Sequence, residues 1–543
     1  MQRNNKLNRR NFMKFLLGSS ALGAAGQLGF MTQAQAATPA FSDYKALVCI
    51  FMKGGNDSFN MLIPMGADPA NSYDTYAGIR GNLAVSQNPL NAAMLASGTL
   101  GNGSNNPYYA GGSLEDAYRA GIYDLSDQGM GLGVNGVMPE LAQLISTNQA
   151  SVMANIGTLV RPVSRAEIQA KTADLPVFLF AHNHQQRILQ TGQADNLGDI
   201  GWAGKIADYW QGVNGSSPFG MNISYAGNNR MLIGKESSPL VLNAGKPPRL
   251  SEMVNGGSHA DKDRIALFKA LQGRENTSAT GNLSFESSKA FNSDDPLQRL
   301  YGDMLDKSYS TFEELYQVWN ENDVGYQSTG PYGESLFANP GNADLGLVTN
   351  TSGRLIAQLE SVAKMIHLSA SGAFGNIPFK RQVFMVDLGG FDTHSAQLSK
   401  HPLLLRELSM GLWKFQKAMD ELGHANKVTT FSMSDFGRSM SNNGDGTDHA
   451  WGGHHIVMGG DGQSAPGNLQ GGQMLGSLPD IRLGGNDDHK EKGRIIPSTS
   501  QDQLNATLCR WFGVDESMLA GVFPNLANFA DTGNSPYLDD LFA

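Results

Sequence analysis

Four short stretches carry side chains whose types and spacing suit a divalent cation. "KGGNDSFN" (53–60) places Asn56, Asp57 and Ser58 behind a Gly-Gly pair, and "LGGFDTHS" (388–395) places Asp392 and His394 behind another. "SDFGRS" (434–439) holds Asp435 and Arg438, and "GTDHAWGGHH" (446–455) holds Asp448, His449, His454 and His455. Imidazole nitrogens suit zinc and other transition metals, and carboxylates also suit magnesium, manganese and calcium. Glycine lets the backbone turn sharply and come close to an ion. The expectation is a divalent metal site drawn from Asp57, Asp392, His394, Asp435, Asp448 and His449. Taken singly, each has a plainer reading. An aspartate after a strand often caps a turn, a histidine of the His-His pair fills a core, and Arg438 forms an ordinary salt bridge. His489 in "NDDHKEKGR" reads as part of a solvated loop. The histidine-rich stretch resists such readings, because the chain has only eleven histidines. Two cysteines are too few for a thiolate metal site.

These stretches are far apart in the chain, so a fold must bring them together. The runs at 45–52, 150–157, 381–389 and 427–437 read as buried strands, and 454–460 as a fifth. "RMLIG" and "PLVLN", between 214 and 260, read as further strands. Apolar spacing of three and four predicts helices over 139–149, 186–194, 261–273, 295–322, 352–370, 401–423 and 500–514. Strands that are continuously apolar and alternate with helices predict an α/β class, a largely parallel sheet flanked by helices on both faces. Ligands of such sheets bind beyond the carboxyl ends of the strands, where Asp57, Asp392 and Asp435 fall. The expected organisation is one domain over 37–543, with insertions around 67–135 and 214–350.

The first 36 residues read as an export signal. Arg9 and Arg10, then Phe12 and Lys14, precede a Gly- and Ala-softened apolar run ending in Ala34-Gln35-Ala36. This is the pattern of a twin-arginine leader with an A-x-A cleavage site. The twin-arginine export machinery is therefore an expected partner, and the expected location is periplasmic or secreted. The run is too short and glycine-rich to span a bilayer comfortably, so no stable membrane span is expected in the mature chain. The formal charge is −10. Cleavage removes five basic and no acidic residues, leaving 35 basic against 50 acidic, about −15. That balance disfavours nucleic acid as a partner. Cys49 and Cys509 both lie in apolar surroundings, as two buried thiols or as one long-range disulfide.

The stretches "LVCIFMKGGNDSFNMLIP", "VDLGGFDTH", "SMSDFGRSMSNNGDGTDHAWGGHHIVMGG" and "GRIIPSTSQDQLNATLCRWFGV" resemble the family called domain of unknown function 1501. That family typically carries a twin-arginine signal. It is in turn similar to the alkaline phosphatase, sulfatase and phosphomutase superfamily, α/β enzymes with one or two metal ions at strand ends. The resemblance implies Asp57 as the first-strand metal aspartate, Asp392 and His394 as ligands of one metal, Asp435 as the aspartate of a Ser-Asp-His-Gly motif, and His449 as the last histidine ligand. Phe436 stands where relatives place a ligand histidine. In "LFAHNHQQRILQTG" Ala181 stands where the family usually has the serine of Ser-His-Asn. The resemblance leaves His182 or His184 to take a phosphoryl group or bind metal, Ser58 beside Asp57 as an alternative nucleophile, attack by a metal-activated water as the other route, and Arg438 as a grip on an anionic ester. The functional expectation is an exported metal-dependent hydrolase of phosphate or sulfate esters. The alternative is a non-catalytic exported binding or assembly protein that keeps the fold and a structural metal site. A zinc peptidase is disfavoured, since no H-E-x-x-H occurs.

Overall fold

The computed structural model describes residues 39–90, 114–215, 217, 219–247, 296–331, 333–338, 352–530 and 535–543. The leader, the helix expected over 261–273 and parts of both insertions lie outside them. The strands are β1 (Lys45–Lys53), β2 (Leu62–Pro64), β3 (Ile122–Asp124), β4 (Leu132–Asn135), β5 (Ala150–Gly157), β6 (Asn222–Ser224), β7 (Leu240–Val241), β8 (Arg381–Gly389), β9 (Val428–Ser434), β10 (Arg438–Asn442), β11 (Thr447–His449), β12 (Gly453–Gly459), β13 (Met474–Leu475) and β14 (Thr499–Ser500). The helices used below are α1 (Tyr73–Arg80), α2 (Pro139–Ser146), α3 (His182–Thr191), α4 (Trp202–Tyr209), α5 (Pro296–Glu321), α6 (Arg354–Ser371), α7 (Gln397–Glu421) and α8 (Gln501–Phe512).

The main sheet runs β13-β5-β12-β9-β1-β8-β6-β7, with β14 beside β5. Its pairings are parallel except those of β12, which lies antiparallel between β9 and β5. The chain is thus an α/β protein with a mixed, mostly parallel central sheet flanked by helices. β1 shows why its strands are continuously apolar. Ala46, Val48, Ile50 and Met52 pack into a core shared with α2, α6 and α7, while Leu47, Cys49 and Phe51 pack into a second core with α4 and α8. Both faces are covered, so neither set of alternating positions meets water. Cys49 and Cys509 lie in that second core as free, buried thiols, and burial raises both far above the usual thiol range. Among the described residues no helix is long and apolar enough to cross a membrane.

Two local expectations change. The 67–135 stretch is more ordered than its weak periodicity suggests: it supplies α1 and two strands of a small sheet, β2-β4-β3. "RMLIG" forms a 3-10 turn at Arg230–Leu232, because the Asn229 side chain accepts a hydrogen bond from Met231 N and closes the backbone.

At the start of α8, Ser500 and Gln503 form a reciprocal capping box. The adjacent Asp502 is buried with Oδ2 unpaired, and burial pushes its carboxyl up to about 7 against the opposing field of Lys205. An acid raised in this way favours the neutral form in the folded chain. Its destabilisation is absent below the unfolded value near 3.9, grows as pH rises and is complete above about 7. Asp502→Asn is therefore expected to stabilise the protein more at pH 8 than at pH 5, by roughly 2 kcal/mol, read from urea unfolding at the two pH values.

Candidate metal centre

The carboxyl ends of β1, β8 and β9 meet at one edge of the sheet, and their glycines decide how closely. Gly54 has φ +117°, and a Cβ there would lie 2.3 Å from the backbone nitrogen of Asp392. Gly55 has φ +82°, and a Cβ there would lie 2.7 Å from the Phe436 ring. Only glycine suits both the conformation and the space. The Gly54 N–H then donates to Asp435 Oδ2 at 3.3 Å. β10 and β11 pair Arg438 with His449, and α3 begins at His182, with Ala181 as a cap that offers no side-chain hydrogen bond.

Four side chains converge there. Among the described residues, His182, Asp392 and His449 can each offer one ligand atom to a metal, all within 4.8 Å of one another. His394 joins them. His182 Nε2 and His449 Nε2 are 3.0 Å apart, His394 Nε2 and His449 Nε2 2.8 Å, and Asp392 Oδ1 lies 3.3 Å from both His394 Nε2 and His449 Nε2. The other nitrogen of each ring faces an acceptor. His182 Nδ1 lies 2.6 Å from Asp435 Oδ2, His394 Nδ1 3.2 Å from Asp448 Oδ1, and His449 Nδ1 2.9 Å from the Phe180 carbonyl. With the hydrogen on each Nδ1, each Nε2 turns a lone pair inward. Three lone pairs and a carboxylate at these separations repel unless a proton or a cation sits among them. This is the orienting arrangement found behind metal-bound histidines. The hydrogen bond to Asp435 raises the His182 imidazole above its usual value against burial. Burial, then neighbouring cations, lower His449, with the Phe180 carbonyl opposing. Phe180 presents that carbonyl from φ +75°, a strained setting for a phenylalanine.

The expected ligands divide accordingly. His394, Asp392 and His449 lie in the cluster, and His182, expected to accept a phosphoryl group or to bind metal, lies there too. Asp435 and Asp448 stand one hydrogen bond behind it. Asp435 Oδ2 also accepts from Gln186, and its Oδ1 is buried without a partner. Asp57 is elsewhere. It is fully buried, its two oxygens meet Arg80 at 2.7 and 2.9 Å, and Gln397 donates to it at 2.5 Å. Both of its oxygens are engaged by Arg80 and Gln397, and it is not among the residues whose donor atoms gather in the cluster, which corrects its expected place as the first-strand ligand. Ser58 is buried, and its Oγ accepts from His454 N at 2.8 Å, so it is no exposed nucleophile. Arg438 also departs from expectation: its side chain is fully buried and both terminal nitrogens meet Asp392 Oδ1, at 2.6 and 3.1 Å. It holds a ligand rather than facing a substrate. His454 and His455 fill the interior of β12, lowered by burial to about 3 and about 4. His489 is not in a solvated loop: it is buried and packs beside Phe180 and Trp451. Phe436 lays its ring against His182 and His449, with centroids 4.7 and 4.6 Å away.

Sequence reasoning missed Arg80, Gln397 and Phe180. Gln397 ties the parts together: its amide oxygen accepts from Thr447 at 2.8 Å and Thr393 at 3.3 Å, while its nitrogen holds Asp57. Thr393 lies between Asp392 and His394 in the chain, and Thr447 adjoins Asp448. Nothing local in the sequence marks any of the three.

Fold and site define an α/β protein with a histidine–aspartate centre at the carboxyl edge of its sheet. Residues 373–530 match the family model described as "Protein of unknown function (DUF1501)". That stretch includes Asp392, His394, Asp435, Asp448 and His449 but not β1 or His182. No curated protein matches the chain. Two similar solved structures carry the titles "Crystal structure of Ps i-CgsB in complex with k-i-k-neocarrahexaose" and "Crystal structure of Ps i-CgsB". Each is 10% identical and covers 74% of this chain and 72% of that one, with a TM-score of 0.27. At that score the likeness defines neither fold nor function.

Removing one partner of a buried ion pair leaves an uncompensated charge. Asp57→Ala is expected to destabilise the protein by about 3–5 kcal/mol. Removing both charges in Asp57→Leu/Arg80→Met is expected to recover most of that loss in urea unfolding.

Proposed function

We propose that the chain is an exported metal-dependent hydrolase of phosphate or sulfate esters, with one divalent ion held by His182, Asp392, His394 and His449. The observation that carries this reading is the convergence of three inward Nε2 lone pairs on Asp392, with every outward Nδ1 hydrogen-bonded. Three imidazoles and one carboxylate are a donor set for zinc or a similar transition metal rather than for magnesium or calcium, which favour oxygen. The site is open: the side chains of Asp392 and His394 are 47% and 44% exposed. Structural zinc sites are closed by four protein ligands, whereas catalytic sites take three and keep a position for substrate or water; His182, Asp392 and His449, whose donor atoms all lie within 4.8 Å of one another, are three such ligands, with His394 beside them. That openness favours the hydrolase over the runner-up, a non-catalytic exported protein with a structural metal.

A bound ion would supply Lewis-acid polarisation of an ester oxygen and a more acidic water. The protein residues do the rest. Asp435 fixes the His182 ring through Nδ1, Asp448 fixes His394, and Arg438 holds Asp392 against the cluster. Phe436 shields one side of His182 and His449 from water. Ala181 offers no hydroxyl at the position where the resembled family has serine, so attack by water is the route consistent with these residues. Export by the twin-arginine route fits the paired arginines and lets the ion be inserted before transport.

Protein exported by its own signal and purified is expected to contain about one transition-metal ion per chain by elemental analysis, and to hydrolyse an aryl sulfate or aryl phosphate. His449→Ala is expected to lose both metal and turnover while remaining folded. Asp435→Asn is expected to weaken metal binding by about 10–100-fold. Absence of metal after loading rejects the reading. Metal without hydrolysis, lost together with folding in His449→Ala, supports the structural alternative.

A further inference from the structure

We infer that Arg494 is the anion-recognising side chain of this centre, gripping a phosphate- or sulfate-type oxyanion presented to the His182–Asp392–His449 cluster; this rests on the metal reading above. Arg438, the guanidinium expected in that role, is enclosed and committed to Asp392. Arg494 is differently placed. Among the described residues its side chain forms no ion pair; its Nε, like that of Arg438, is buried without a hydrogen-bond partner. The side chain is half-buried rather than free in solvent. Its guanidinium carbon lies 4.6 Å from the centroid of the Phe180 ring, a stacking contact that fixes the plane of the fork. Phe180 is the residue whose carbonyl holds His449.

The backbone on either side is pinned to the ligand-bearing elements. Met440 N on β10 donates to Gly493 O at 2.9 Å, and Gly452 N, between β11 and β12, donates to Ile495 O at 2.8 Å. Arg494 N itself donates to Asp488 Oδ1 at 3.2 Å. A glycine is required next to it: Gly493 has φ +66°, and a Cβ there would lie 2.3 Å from the Met440 Cβ.

Charge favours the same role. Asp392, Asp435 and Asp448 are balanced by Arg438 and one divalent ion, so Arg494 adds positive charge that those carboxylates do not cancel. A guanidinium with a preset plane and no carboxylate partner is suited to bidentate recognition of a tetrahedral oxyanion.

The test is titration of zinc-loaded, full-length protein with inorganic phosphate and, separately, inorganic sulfate by calorimetry, with zinc content and thermal unfolding measured alongside. Arg494→Met keeps an apolar stem against Phe180 and removes the charge. It is expected to weaken oxyanion binding about tenfold to a hundredfold while zinc content stays at the wild-type level. Arg494→Lys keeps the charge without the fork and is expected to fall between the two. The stronger-bound anion identifies which ester class the site prefers. Equal binding by wild type and both variants overturns the inference and leaves the metal reading intact. If the wild type takes up no zinc, the metal reading fails, and the same titration on metal-free protein decides Arg494: binding lost in Arg494→Met supports it, and binding absent or unchanged overturns it. If Arg494→Met does not fold, Arg494→Lys decides, with at least a threefold loss supporting the inference and no change overturning it.

Discussion

The centre hangs from a buried charge that does not belong to it. Asp57, fully enclosed at the end of β1, is neutralised on both oxygens by Arg80 and steadied by Gln397. Burying such a pair is not in itself stabilising, because two charges lose their water. What the pair provides is a fixed point. Gln397 carries its position to Thr393 and Thr447, and these threonines adjoin Asp392, His394 and Asp448 in the chain. Asn56 extends the same platform, bonding His401, which in turn meets Tyr118. Burial drives His401 down to about 4, so this platform stays neutral at that point across the physiological range. Loops that bear exposed ligands are thus tied to a rigid interior.

How much of this the sequence could reveal follows from which forces are local. Continuous apolar runs identify β1, β5, β8 and β9, since both faces of a central strand are buried and every residue shows it. The Gly-Gly pairs mark close backbone approach, and the structure bears this out at Gly54, whose missing Cβ makes room for Asp392. The start of α3 was not legible. Ala181 is a poor cap with no side-chain acceptor, so the apolar spacing alone placed the helix a turn too late and left His182 in a loop. Arg80 was hidden for another reason: it ends the eight-residue α1 in a stretch whose composition looks irregular. Its partner is a matter of tertiary packing.

The same limit explains the exchange of roles between two arginines. Arg438 lies two residues past Phe436 in a suspicious motif, whereas Arg494 lies in a charged turn that reads as solvent-facing. In the folded chain the first is enclosed by β10 and β11 and the second stacks on Phe180. Residue type and spacing identify candidates for charge chemistry. Only burial and partner saturation separate a cation that holds a ligand from one left for an incoming anion.

Phe436 sets the character of the site. Where the resembled enzymes place a further histidine, an apolar ring stands against His182 and His449, supported from behind by Gly55. A ring there supplies no donor, and Asp57 is closed off by Arg80 and Gln397. His182, Asp392 and His449 bring donor atoms within 4.8 Å of one another, and the side chains of Asp392 and His394 beside them face solvent. On the proposed reading, an open, histidine-rich position suits a ligand that brings its own negative oxygens.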